Sequence, residues 1–133
     1  MTKDRVVRLQ AGQERNDPVA ANETIYAGAM VFLDAAGNAV RGKTALGLKA
    51  RGFAVSQVIN GAVAGEKRVR SQPQEGRVAN SAAADAITRA DIGAVCYVVD
   101  DQTVAKTNGG ATRSAAGTIV DVDSGGVTIK LGL

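Results

Sequence analysis

Four carboxylates raise the question of chemistry first: Asp100 and Asp101 are adjacent, and Asp121 and Asp123 stand two apart. Clustered carboxylates can hold Mg²⁺ or Ca²⁺. Here they sit at the ends of apolar runs, and no calcium-loop spacing accompanies them. Turn residues that bond their own backbone and face water are the expected role. Cys96 is the sole cysteine and lies inside Val95-Cys96-Tyr97-Val98-Val99. A thiol in such a run is expected to be an inert core group. The chain contains no histidine. The commonest general base and metal ligand are therefore missing, and neither a Ser-His-Asp triad nor a zinc site can be assembled within one chain. Gly61 to Gly65 is followed by Glu66, not by the Lys-Ser pair of a phosphate loop. No enzyme activity, metal or cofactor is expected.

Charge is the next candidate for function. Residues 41–77 carry eight Lys and Arg against Glu66 and Glu75, whereas residues 85–133 carry six Asp against four basic residues. Arg41, Lys43, Lys49, Arg51, Lys67, Arg68 and Arg70 are the expected basic contact surface, facing an acidic surface on another copy or another protein. Complementary charge of this kind sets register and partner choice. Overall, 16 Lys and Arg against 13 Asp and Glu leave a net charge of only +3. A nucleic-acid partner is not expected, because the aromatic platforms that single strands stack on are missing. The four aromatics Tyr26, Phe32, Phe53 and Tyr97 mostly sit in apolar runs.

The elements that must position these groups read as strands. With 133 residues the chain fits one domain. Its apolar share is 45%, mostly Ala and Val, with 3% aromatic, so the core is built from small pieces. A thin core of this kind is often reinforced by oligomerisation. From Thr24 onward short apolar runs alternate with turn formers. Met30–Leu33 and Ala39–Arg41 flank Asp34-Ala35-Ala36-Gly37-Asn38, a hairpin signature. Phe53–Val58 is a further strand, ending near the turn pair Asn60-Gly61. Lys67–Ser71 and Gly76–Asn80 read as two polar strands joined across Pro73. Val95–Val99 reads as a strand buried on both faces. In Gly126–Leu131, Val127, Ile129 and Leu131 alternate with Thr128 and Lys130, the period of a strand with one wet face. The expected fold is mainly β: a small sandwich or barrel of short antiparallel strands, with one short helical segment near 81–92. No run of 18 apolar residues exists, and charged Met1–Arg5 lacks a following apolar stretch. Neither a membrane span nor a signal peptide is expected.

Residues 1–23 are polar and read as an extended arm ahead of a single β-rich domain, 24–133. Arg5, Val6, Arg8, Leu9 and Arg15 are its expected contacts with a neighbour.

The runs Ala90-Asp91-Ile92-Gly93, Val95–Val104 with Asp100-Asp101-Gln102-Thr103-Val104, Ala116–Asp123 and Gly126-Val127 together resemble a pattern in small head proteins of tailed phages. The group is the decoration, cement or minor capsid proteins of Mu-like or lambdoid siphophage type. The resemblance spans about 24–131 and is densest over 90–127. It implies a β-rich subunit, commonly a homotrimer at threefold positions, that binds the major capsid protein on the outer capsid surface and stabilises the mature shell. It carries over no catalytic residue. The other function the residues allow is a soluble β-barrel module that binds polyanions or nucleic acid through residues 41–77.

Overall fold

The computed structural model describes residues 14–132. Among these the strands of the first half are β1 (Arg15–Pro18), β2 (Thr24–Ile25), β3 (Met30–Leu33), β4 (Ala39–Arg41), β5 (Lys49–Ala54), β6 (Val58–Ile59) and β7 (Arg68–Gln72). Those of the second half are β8 (Glu75–Asn80), β9 (Val95–Val98), β10 (Thr103–Ala105), β11 (Ala115–Asp123) and β12 (Gly126–Leu131).

The first half grows from the β3–β4 hairpin. Asp34 closes it: its Oδ1 accepts the backbone N–H of Ala36 and of Asn38, each at 2.9 Å. Gly37 supplies the positive φ of 83° that the turn requires. Strands then add outward in the order β1-β7-β5-β3-β4, every neighbouring pair antiparallel. Because successive side chains point to opposite faces, this sheet has two apolar sides. Val31, Ala39, Ala54 and Val69 face one way and are covered by Val19 and Ile25. Met30, Phe32 and Val40 belong to a second cluster shared with the other half of the molecule. A small outer layer, β2 paired with β6, completes the first half.

The second half closes into a five-stranded barrel, β10-β8-β12-β11-β9. The β11–β12 hairpin is its longest ladder, and Val127, Ile129 and Leu131 point inward while Lys130 stays exposed. Two irregularities in β11, at Ala116 and Val120, bend it around the barrel. The seam is β8 against β10, a parallel pair and the exception to the antiparallel expectation. Parallel neighbours need a crossover, and here it runs through two 3₁₀ turns, Ala83–Asp85 and Arg89–Asp91, and then β9. These turns are the helical segment expected near 81–92. The second carries a capping box between Thr88 and Asp91. Closure leaves the barrel without edge strands.

Sheet and barrel share one core. Phe53 of β5 packs against it, and its ring lies over Gly76 of β8. An ideal Cβ on Gly76 would sit 2.5 Å from two ring carbons, so any larger residue there must displace the ring.

Two sequence expectations are corrected. The arm boundary at residue 23 falls inside the folded unit, because β1 pairs with β7 and Val19 is fully buried. Strands β7 and β8 flank Pro73 as expected, one joining the sheet and the other the barrel. Val95–Val99 is not buried on both faces: Val95 is 40% exposed and Tyr97 half-buried, since alternate residues of a small barrel face outward. Among the described residues no helix is long and apolar enough to cross a membrane.

Candidate functional site

The basic middle stretch is met largely by the chain's own N-terminal residues. Arg51 is the extra residue at a bulge in β5, opposite Val31 and Phe32 of β3. A bulge re-aims its side chain, and Arg51 reaches Asp17 of β1 with two hydrogen bonds, at 2.9 and 2.8 Å. Arg68 donates to Asn16 Oδ1 and to its backbone carbonyl, both at 2.8 Å. Arg70 lies 3.5 Å from Glu14, and Arg41 lies 3.6 Å from Glu23. Lys43, Lys49 and Lys67 are exposed and join no ion pair among the described residues. The seven expected basic contacts are therefore not one free surface. Four are engaged by residues 14–23, which carry Glu14, Asp17 and Glu23.

One concave place gathers cations from three separate elements. A cleft of about 400 Å³ at the sheet–barrel seam is lined by Arg15, Ala50, Arg51, Pro73, Lys130, Leu131 and Gly132. Arg15 comes from the start of β1, Arg51 from the bulge, and Lys130 from the outward face of β12. Arg51 is held in place by Asp17, whereas Arg15 and Lys130 join no ion pair among the described residues. Glu75 stands opposite Lys130 in the β8–β12 register, yet the two form no salt bridge. The pairing places Arg15 and Arg51, expected as arm and basic-surface contacts, in the same cleft. Lys130 was legible only as the polar position of an alternating strand. Arg41 and Lys43 line a different cleft, of about 310 Å³, together with Asp100 and Asp101.

The carboxylates behave as turn and pairing groups. Asp100 Oδ1 accepts the backbone N–H of Gln102 at 2.9 Å. Asp123 accepts the N–H of Gly125 and pairs with Arg77, and these two hold its carboxyl below the usual range. Asp121 pairs with Arg89 at 2.9 Å on the barrel surface. Asp85 is held low by the Thr107 hydroxyl and then by Arg113. Among the described residues no three His, Cys, Asp or Glu converge to hold a metal ion. Cys96 faces the barrel interior, fully buried, and burial pushes its thiol up to about 11. So high a value leaves almost no thiolate at neutral pH.

Asn60 is a residue whose importance the sequence concealed. In place of a hairpin turn with Gly61, it is buried and fastens a loop. Its Nδ2 donates to the carbonyls of Val19, Ala20 and Val63 at 3.0 to 3.1 Å, and its Oδ1 accepts the N–H of Lys67. Arg5, Val6, Arg8 and Leu9, the other expected arm contacts, lie outside the described residues.

Comparison of the chain with protein-family models, with curated proteins and with solved structures finds no match.

Proposed function

We propose that the chain is a structural subunit of a tailed-phage head, a decoration or cement protein that binds the major capsid protein on the outer surface of the mature shell. The observation that carries this reading is the correspondence between motif and fold. The stretch that resembles phage head proteins, 90–127, supplies three of the five strands of one closed barrel, β9, β10 and β11, and the start of a fourth, β12. A subunit of this kind acts mechanically. Binding the expanded shell and not its precursor stabilises the expanded state by mass action. Exposed Tyr26, Ile59 and Val63 add apolar area for such contacts. A homotrimer is part of the proposal, since a core of Ala and Val gains from association.

Purified heads of the phage that carries this chain, stripped of it and then incubated with the pure protein, test the reading. Stoichiometric rebinding with raised heat resistance is the expected result, together with a trimer mass in solution. Failure of the protein to occupy the shell overturns the assignment. A deletion of residues 2–13 leaves β1 intact and measures the arm separately; unchanged occupancy would remove the arm from the account.

A second reading, a polyanion-binding β-barrel module, is favoured by the convergence of Arg15, Arg51 and Lys130 on one cleft. Salt-sensitive retention of the isolated protein on heparin or DNA would support it.

A further inference from the structure

We infer that the seam cleft lined by Arg15, Arg51 and Lys130 is a binding site for carboxylates of an acidic protein segment. The inference rests on the structural-subunit reading above and names the chemistry of the surface that subunit grips.

Three observations converge on it. The cations arrive from β1, β5 and β12, so tertiary folding and not sequence proximity assembles the charge. Asp17 fixes the Arg51 side chain through both of its oxygens, so one wall of the site is ordered before anything binds. Arg15 and Lys130 retain their full donor capacity among the described residues. Asp17 engages Arg51 and Glu75 stands across from Lys130, so among the described residues three cations face two carboxylates and the cleft keeps a positive excess.

The lining also selects among anions. Ala50 and Pro73 add apolar lining beside the cations. That mixture suits a Glu or Asp side chain, with its methylene stem on the apolar surface and its carboxylate on the guanidinium. A nucleic-acid backbone is matched less well. A backbone is gripped along a continuous cationic track and the bases of a single strand stack on aromatic side chains, and no aromatic residue lines the cleft. The volume of about 400 Å³ accommodates a few side chains of a peptide.

The test uses the full chain and a poly-glutamate peptide of about ten residues as probe, titrated calorimetrically at about 20 mM and about 300 mM salt. Saturable binding at low salt that weakens at high salt is expected. The double variant Arg15→Glu with Lys130→Glu is expected to bind at least about tenfold more weakly. A control double variant, Lys43→Glu with Lys67→Glu, makes the same change in net charge elsewhere and is expected to bind like the parent. Circular dichroism confirms that each variant folds. Equal loss in both double variants overturns the site, because general surface charge then explains the binding. No binding by the parent overturns it as well, as does tighter binding of inorganic phosphate or of a short DNA strand than of poly-glutamate. Rebinding to stripped heads separates this proposal from the one it rests on. If the parent and the Arg15→Glu/Lys130→Glu variant occupy heads equally, the site is refuted and the structural role stands. If the parent binds poly-glutamate but no head, the structural role is refuted and the carboxylate site stands.

Discussion

Arg51 and Asp17 form a two-point pair, Nε to Oδ2 at 2.9 Å and Nη2 to Oδ1 at 2.8 Å, that ties the bulge of β5 to the edge strand β1. They are separated by 34 residues in sequence. Because β7 lies between β1 and β5 in the sheet, this pair is a second fastening of the N-terminal strand. It also positions one wall of the seam cleft.

Asp17 is 7% exposed, so removing Arg51 strands a poorly solvated carboxylate. Arg51→Ala is expected to cost about 2–4 kcal/mol, and Asp17→Ala less, because the Arg51 side chain it leaves is 26% exposed. The double substitution is expected to cost about 1–3 kcal/mol less than the sum. Urea unfolding of the four proteins measures the cycle; strict additivity would show that the pair contributes nothing.

The ring of Phe53 over Gly76 predicts overpacking. Gly76→Ala is expected to lower stability by about 1–3 kcal/mol, since the new Cβ meets ring carbons. Phe53→Leu in the same chain is expected to recover part of that loss. Thermal melts of the single and double variants decide it, and a Gly76→Ala protein as stable as the parent would place the ring elsewhere.

Asn60→Ala leaves the buried Val19 carbonyl without its side-chain donor and the Lys67 N–H without its acceptor. A loss of about 2–4 kcal/mol is expected. Asn60→Asp is expected to be at least as damaging, because it turns a donor to three carbonyls into a carboxylate facing them. Amide hydrogen exchange in 60–67 reads the local effect.

Cys96 predicts an alkaline limit. Burial raises its thiol from the ordinary 9.0 to about 11. A group with a raised folded-state pKa contributes stability that is whole below the unfolded value and lost as pH rises through the folded one. Stability is therefore expected to fall between about pH 9 and 11, by about 2–3 kcal/mol for a shift of this size. Cys96→Ala is expected to flatten this limb in denaturant titrations across that range.

The acid limb has the opposite sign. Asp91 is held low by the Thr88 backbone N–H and then by Lys106, and Asp123 by the Gly125 N–H and then by Arg77. Their contribution is present above the ordinary 3.8 and is lost as pH falls through their lower folded values. Asp91→Asn is expected to make acid unfolding shallower below about pH 4, read by circular dichroism across an acid titration.

Local chemistry made the hairpins legible. Asp34 and Gly37 encode their turn within five residues, and the alternation in 126–131 assigns each side chain of β12 to a face, because both effects depend only on near neighbours. The Thr88-to-Asp91 cap and the buried thiol in β9 are local in the same sense.

The amino-acid sequence by itself determined a β-rich chain of short strands and a core of small apolar groups without histidine chemistry. Tertiary structure alone decided which strands meet. Arg15 pairs with Ser71, Asp17 meets Arg51, Pro73 separates a sheet from a barrel, and Lys130 lines the same cleft as Arg15 from the far end of the chain. Backbone ladders carry no residue code, so pairing across such distances is selected by the burial of whole faces and not by any local signal.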